Sequence, residues 1–133
     1  MRRRFWPAWV DWLGLMLCMG AIFYFSSQLH PNVPGIDFTP LRKSLHVAEY
    51  MLLFALWCNA IYRTWPRRLP ATLGWALAAT VAYAASDELH QHFVGRDGNI
   101  FDVMIDSSVP FLIWLTIEVR QKMAHPRHLP SQR

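Results

Sequence analysis

Four apolar runs separated by polar segments dominate the chain, at residues 9–26, 44–62, 69–86 and 103–119. The third carries no charged residue over 18 positions, about the length that crosses a hydrocarbon core roughly 30 Å thick. The fourth is interrupted by Asp106 and by Pro110. Proline lacks an N–H donor, so Pro110 is expected to kink this helix or to begin its regular part. The pattern predicts an all-α integral membrane protein built as a bundle of four transmembrane helices. Gly74, Ala78 and Ala82 recur every four residues in the third run, joined by Ala79 and Ala85. Small residues on one stripe let backbones approach closely in lipid, so this helix is expected to form the packed centre through that stripe.

The 133 residues make one domain, 1–133, with a basic, proline-containing tail at 120–133 that reads as disordered. The mean hydropathy of +0.14 is low for a membrane protein because charged loops dilute the apolar runs. Arg2-Arg3-Arg4 before an apolar run resembles the start of a signal peptide. That run ends in Phe25-Ser26-Ser27-Gln28 with no A-x-A site, so it reads as an uncleaved first helix. Cys18 and Cys58 fall inside apolar runs and read as small packing residues.

A net charge of +4 raises the question of nucleic acid, but no nucleic-acid-binding motif accompanies it. The basic residues are grouped by loop instead. The N-terminal tail, the 63–68 loop and the C-terminal tail hold ten Lys and Arg; the other two loops hold Arg42, Lys43 and Arg96. The orientation rule then gives an N-in/C-in topology. All seven tryptophans fall in the half of the crossings nearer the cytoplasm, with Tyr24, Tyr50 and Tyr83 in the outer half.

In that frame the ionisable residues gather at the outer side. Lys43, His46, Glu49 and Tyr50 share one face of the second helix at spacings of three and four. Asp87, Glu88, His90 and Gln91 end the third; Arg96 lies in the short outer loop; Asp102 and Asp106 begin the fourth. Ionisable groups at membrane depth cost about 2.5–3.5 kcal/mol each on insertion scales and mark functional sites by default. Glu49, Asp87 and Glu88 are candidate acid/base or metal groups, with His46 and His90 as proton shuttles or ligands. Lys43 and Arg96 could bind a phosphate or pyrophosphate, with Tyr50, Gln91, Asp102 and Asp106 completing the substrate site. Two histidines with up to five carboxylates could hold a divalent metal, but no H-E-x-x-H, glycine-rich phosphate loop or G-x-S-x-G elbow is present. The competing reading is an ion-paired network, such as Lys43–Glu49 or Arg96–Asp102, that fixes helix register. His30, His92, His125 and His128 read as solvated, and Asp11 as interfacial.

The ordered run of these residues resembles the VanZ-like family of small bacterial membrane proteins. The matching pieces are Phe25-Ser26-Ser27-Gln28, Lys43-x-x-His46-x-x-Glu49-Tyr50, the string Ser86-Asp87-Glu88-Leu89-His90-Gln91-His92-Phe93-Val94-Gly95-Arg96, and Asp102-Val103. Where the family pattern has an Asn followed by a glycine-containing turn, this chain reads Asp106-Ser107-Ser108-Val109-Pro110. The resemblance implies a multi-pass protein of the bacterial cytoplasmic membrane, in a family whose founding members are linked to teicoplanin resistance. It implies no known reaction. Two functions follow as expectations. One is an enzyme or specific binder acting on a lipid-linked or cell-wall substrate at the outer leaflet. The other is a non-catalytic envelope factor whose charged cluster is structural.

Overall fold

The computed structural model describes residues 6–28, 39–95 and 99–124. They form four helices: α1 (Trp9–Ser26), α2 (Thr39–Thr64), α3 (Leu69–Phe93) and α4 (Ile100–Ala124). Each contains a stretch long and apolar enough to cross a membrane. All but α1 are longer than their apolar runs. Among the polar residues that extend them, Lys43 near the start of α2 pairs with Asp102 near the start of α4, and Asp87 near the end of α3 reaches α1 and α2. α4 starts at Ile100 and runs unbroken through Pro110, so Pro110 does not begin its regular part. Residues 120–124, expected in a disordered tail, form its last turn, while 125–133 lie outside the described residues.

Local signals set the helix ends. Pro70 occupies the first turn of α3, where a missing N–H costs nothing. Gly95, at φ +77°, follows the last turn of α3 and reverses the chain in a conformation that side-chain-bearing residues rarely adopt. Asn99 caps α4, its side-chain oxygen accepting the Phe101 N–H at 3.0 Å.

Neighbouring helices run antiparallel, so the starts of α1 and α3 share one end of the bundle with the ends of α2 and α4. α2 and α3 each pack on all three other helices, and among the described residues α1 and α4 do not pack on each other. Leu15, Ile22, Tyr50, Leu53, Ala60, Ala84 and Val103 make one buried cluster; Phe54, Ile61, Leu73 and Ala76 make a second nearer the tryptophan end. Large apolar side chains such as Leu13, Leu17, Phe111 and Leu112 are exposed around the outside, as a lipid-facing surface requires. Cys18 and Cys58 are unbridged and half-buried against these clusters.

The small-residue stripe does not lie where the sequence suggested. The buried positions of α3 include Leu73, Ala76, Thr80, Ala84, Asp87 and Gln91, whereas Ala78, Ala82 and Ala85 are exposed and Gly74 is half-buried. The polar end explains the difference. Asp87, Glu88 and Gln91 must face the other helices, and at 100° per residue that rotation carries Leu73, Ala76 and Thr80 inward. Gly74, Ala78 and Ala82 are then turned roughly 140° away. Thr80 packs like a small apolar residue because its hydroxyl donates to the Ala76 carbonyl at 2.8 Å.

Candidate functional site

The end of the bundle opposite the tryptophans collects the ends of α1 and α3 and the starts of α2 and α4. Asp87 is its hub and only 2% exposed. Its Oδ1 accepts the Ser26 hydroxyl from α1 at 2.5 Å. Its Oδ2 accepts the Tyr50 hydroxyl from α2 at 3.2 Å and Gln91 Nε2 from its own helix at 3.0 Å. A carboxylate offers about four lone-pair sites, so three donors nearly saturate it. Glu88, one residue on, turns toward α4. Its Oε1 accepts Gln91 Nε2 at 3.3 Å and its Oε2 accepts the backbone N–H of Asn99 at 2.8 Å.

The α2–α4 seam carries the ion pairs. Lys43 Nζ lies 3.0 Å from Asp102 Oδ1, and His46 Nδ1 lies 3.9 Å from Asp106 Oδ2. The second distance is beyond hydrogen-bonding range. Lys43, His46, Glu88, Gln91, Asp102, Ile105 and Asp106 enclose a cavity of about 10 Å³, space for about one water molecule. Its charged wall is acid-rich, with three carboxylates against one ammonium and one imidazole. Such a wall accepts hydrogen bonds from a hydroxyl or an ammonium group and can exchange protons with it.

Of Glu49, Asp87, His90 and Asp102, only Asp102 lines this cavity. His90 and Glu88, two residues apart, leave α3 on opposite flanks. His90 faces α1, its Nε2 2.9 Å from the Ser27 hydroxyl and its ring stacked on Phe23 at 4.1 Å. Glu49 is half-buried and does not line the cavity, although its neighbour Tyr50 stacks on His46 at 6.3 Å. The partner of Lys43 is Asp102 rather than Glu49. Arg96, and with it the Arg96–Asp102 pair, lies outside the described residues, as do His30, His125 and His128. His92 is exposed. Among the described residues no group of three His, Cys, Asp or Glu is arranged to hold a metal ion.

Two features escaped sequence reasoning. Asp11, read as interfacial, is only 8% exposed, paired with Arg63 of α2 and accepting Asn59 Nδ2 at 2.7 Å. Arg63 also donates to the Trp6 carbonyl at 2.7 Å. The only sequence signal was an acid near one end of the first apolar run and an arginine near the matching end of the second. Ser107, next to Asp106, buries its hydroxyl without a hydrogen-bond partner.

The match to known proteins follows the same ground. The family model described as VanZ/LLP1 matches residues 11–119, from the first helix to the last. No curated protein and no solved structure matches the chain. The match takes in the whole Asp87 hub, the Lys43–Asp102 and His46–Asp106 pairs and the cavity between them, and the chain belongs to the VanZ/LLP1 family.

Proposed function

We propose that this membrane protein binds or modifies the head group of a lipid-linked or cell-wall substrate at the outer face of the bacterial cytoplasmic membrane. The observation that carries the reading is the cavity between α2, α3 and α4, where Glu88, Asp102 and Asp106 meet Lys43 and His46. The ends of three helices are spent on building it, and a merely apolar bundle needs none of these groups.

The residues divide by what they touch. Asp87, held by Ser26, Tyr50 and Gln91, is a positioning residue that locks α1, α2 and α3 around the site. Glu88 and His46 line the cavity and are the titratable pair for proton transfer to a substrate hydroxyl or amine. Lys43 stands at its rim, 43% exposed, and with Arg96 would receive a phosphate or pyrophosphate once Asp102 yields. A cavity of this size takes the tip of a head group, not a sugar ring, so the bulk of the substrate would stay in the leaflet or outside it. His90 and Glu49 belong to the flanks, where they would support the site without touching its contents.

A second reading, a non-catalytic envelope factor with a register-fixing charge network, draws support from the same Asp87 hub, since its donors leave little capacity for a ligand. Glu88→Gln and His46→Gln separate the two. Each keeps much of the side-chain volume and hydrogen-bonding capacity while removing a titratable group. In a host lacking the native gene, both variants should accumulate in the membrane and melt like the parent, yet fail to restore growth in teicoplanin or under other cell-wall stress. Restored growth with unchanged melting would overturn the site; joint loss of melting temperature and growth would favour the register-fixing network.

A further inference from the structure

The tryptophan end of the bundle carries a second concavity, unconnected to the acid-lined cavity. A groove of about 1000 Å³ runs between α3 and α4. Gly74 and Ala78 form its floor, and the indoles of Trp75 and Trp114 form its walls. A Cβ added at Gly74 would stand 3.3 Å from Trp114 Nε1, so glycine is what lets this indole lie close against α3. Arg68 and Lys122 stand at the mouth, with Glu118 paired to Lys122 at 3.1 Å.

We infer that this groove holds one anionic phospholipid of the surrounding leaflet, with an acyl chain against the Gly74–Ala78 floor and its phosphate at Arg68 and Lys122. The groove opens from helices that span the membrane, so what enters it comes from the lipid phase. Its apolar floor suits a hydrocarbon chain, which recovers the dispersion contacts an unfilled groove forfeits. Its mouth suits an anion: two cations face one carboxylate, and exposed Arg67 and Arg120 add to the positive potential. Arg68 brings the planar donor fork that phosphate recognition favours. Indole rings at this depth favour the boundary between chain and head group. A second copy of the chain is the competing occupant, because Gly74 and Ala78 are spaced as small residues are in helix pairs. In a two-fold pair with its axis along the membrane normal, equivalent residues meet at one depth. Arg68 and Lys122 would then face their own copies, which opposes that packing.

Tryptophan fluorescence of the full chain in phosphatidylcholine vesicles tests the assignment. The probe is a small fraction of phosphatidylglycerol brominated in its acyl chains, compared with brominated phosphatidylcholine at the same fraction. Brominated phosphatidylglycerol should quench with a preference of about five-fold for each cation at the mouth. Trp75→Phe with Trp114→Phe should remove the excess quenching, and Arg68→Gln with Lys122→Gln should abolish the preference. Ala78→Leu, at an exposed position, should reduce quenching by both lipids. Equal quenching by the two lipids, or a preference that survives the charge variants, overturns the inference. So does a stable pair of copies, seen by single-molecule photobleaching, that Ala78→Leu splits. Should Ala78→Leu fail to insert, the charge variants decide the matter alone.

Discussion

The Ser26 hydroxyl of α1 donates to Asp87 of α3 at 2.5 Å across two residues that are 3% and 2% exposed. α1 and α3 otherwise touch little: the Tyr83 hydroxyl donates to the Met19 carbonyl at 2.5 Å, and His90 meets the Ser27 hydroxyl and the Phe23 ring. Most of α1 faces lipid, where no hydrophobic force drives it onto its neighbours. Its position therefore depends heavily on a few polar contacts, of which the one to Asp87 is the most buried.

Asp87→Ala should consequently be among the most destabilising single changes in the bundle. It strands the Tyr50 hydroxyl and leaves Ser26 and Gln91 only their longer contacts to the Phe23 carbonyl and Glu88, and a buried donor without an acceptor costs about 1–3 kcal/mol. Melting in detergent should fall by about 5 °C or more. Ser26→Ala removes one donor and leaves Asp87 two others, so its effect should be the smaller. Equal melting of Asp87→Ala and the parent protein would show that the hub carries no stability.

The other end of the bundle has its own polar lock. Asp11 pairs with Arg63, and both are also held by neutral partners, Asn59 on the acid and the Trp6 carbonyl on the guanidinium. Breaking a buried pair from one side leaves the other charge uncompensated, at a cost of about 3–5 kcal/mol. Asp11→Ala and Arg63→Ala should each destabilise strongly, whereas the double variant should lose clearly less than the sum of the two. A thermodynamic cycle on the three variants measures this directly. Additive losses would mean that the two side chains do not act as a pair.

These two locks also mark how far the sequence could be read. The helices were legible because uncharged stretches such as 69–86 admit little else, and the gathering of acids at one end was legible once the runs were set alternately up and down. The partners were not. Lys43 meets Asp102, 59 residues away, and Arg63 meets Asp11, 52 residues away. Such choices depend on how each helix is rotated about its axis, and rotation is fixed by all four helices together. α3 shows the difficulty: its Gly74–Ala78–Ala82 stripe is the more conspicuous pattern, but burying Asp87 and Gln91 sends that stripe outward.

The proposed site requires the Asp87 end to lie outside, and charge predicts that it does. Ten Lys and Arg in the two tails and the 63–68 loop oppose three in the other loops. The bias outlasts the pairing seen in the structure: Asp11 engages Arg63 and Glu118 engages Lys122 on one side, Asp102 engages Lys43 on the other, and eight still oppose two. Orientation follows such asymmetry over short loops. Alkaline phosphatase, active only after export, should therefore be inactive when fused after Arg133 or inserted after Arg67, and active when fused after Gly95. A fluorescent protein that matures only in the cytoplasm should give the opposite pattern at each site. Export of the Arg133 fusion would turn the acid-lined cavity toward the cytoplasm. The reading of an outer-leaflet substrate would then fall, while the helix packing, the Asp87 hub and the Asp11–Arg63 pair would stand unchanged.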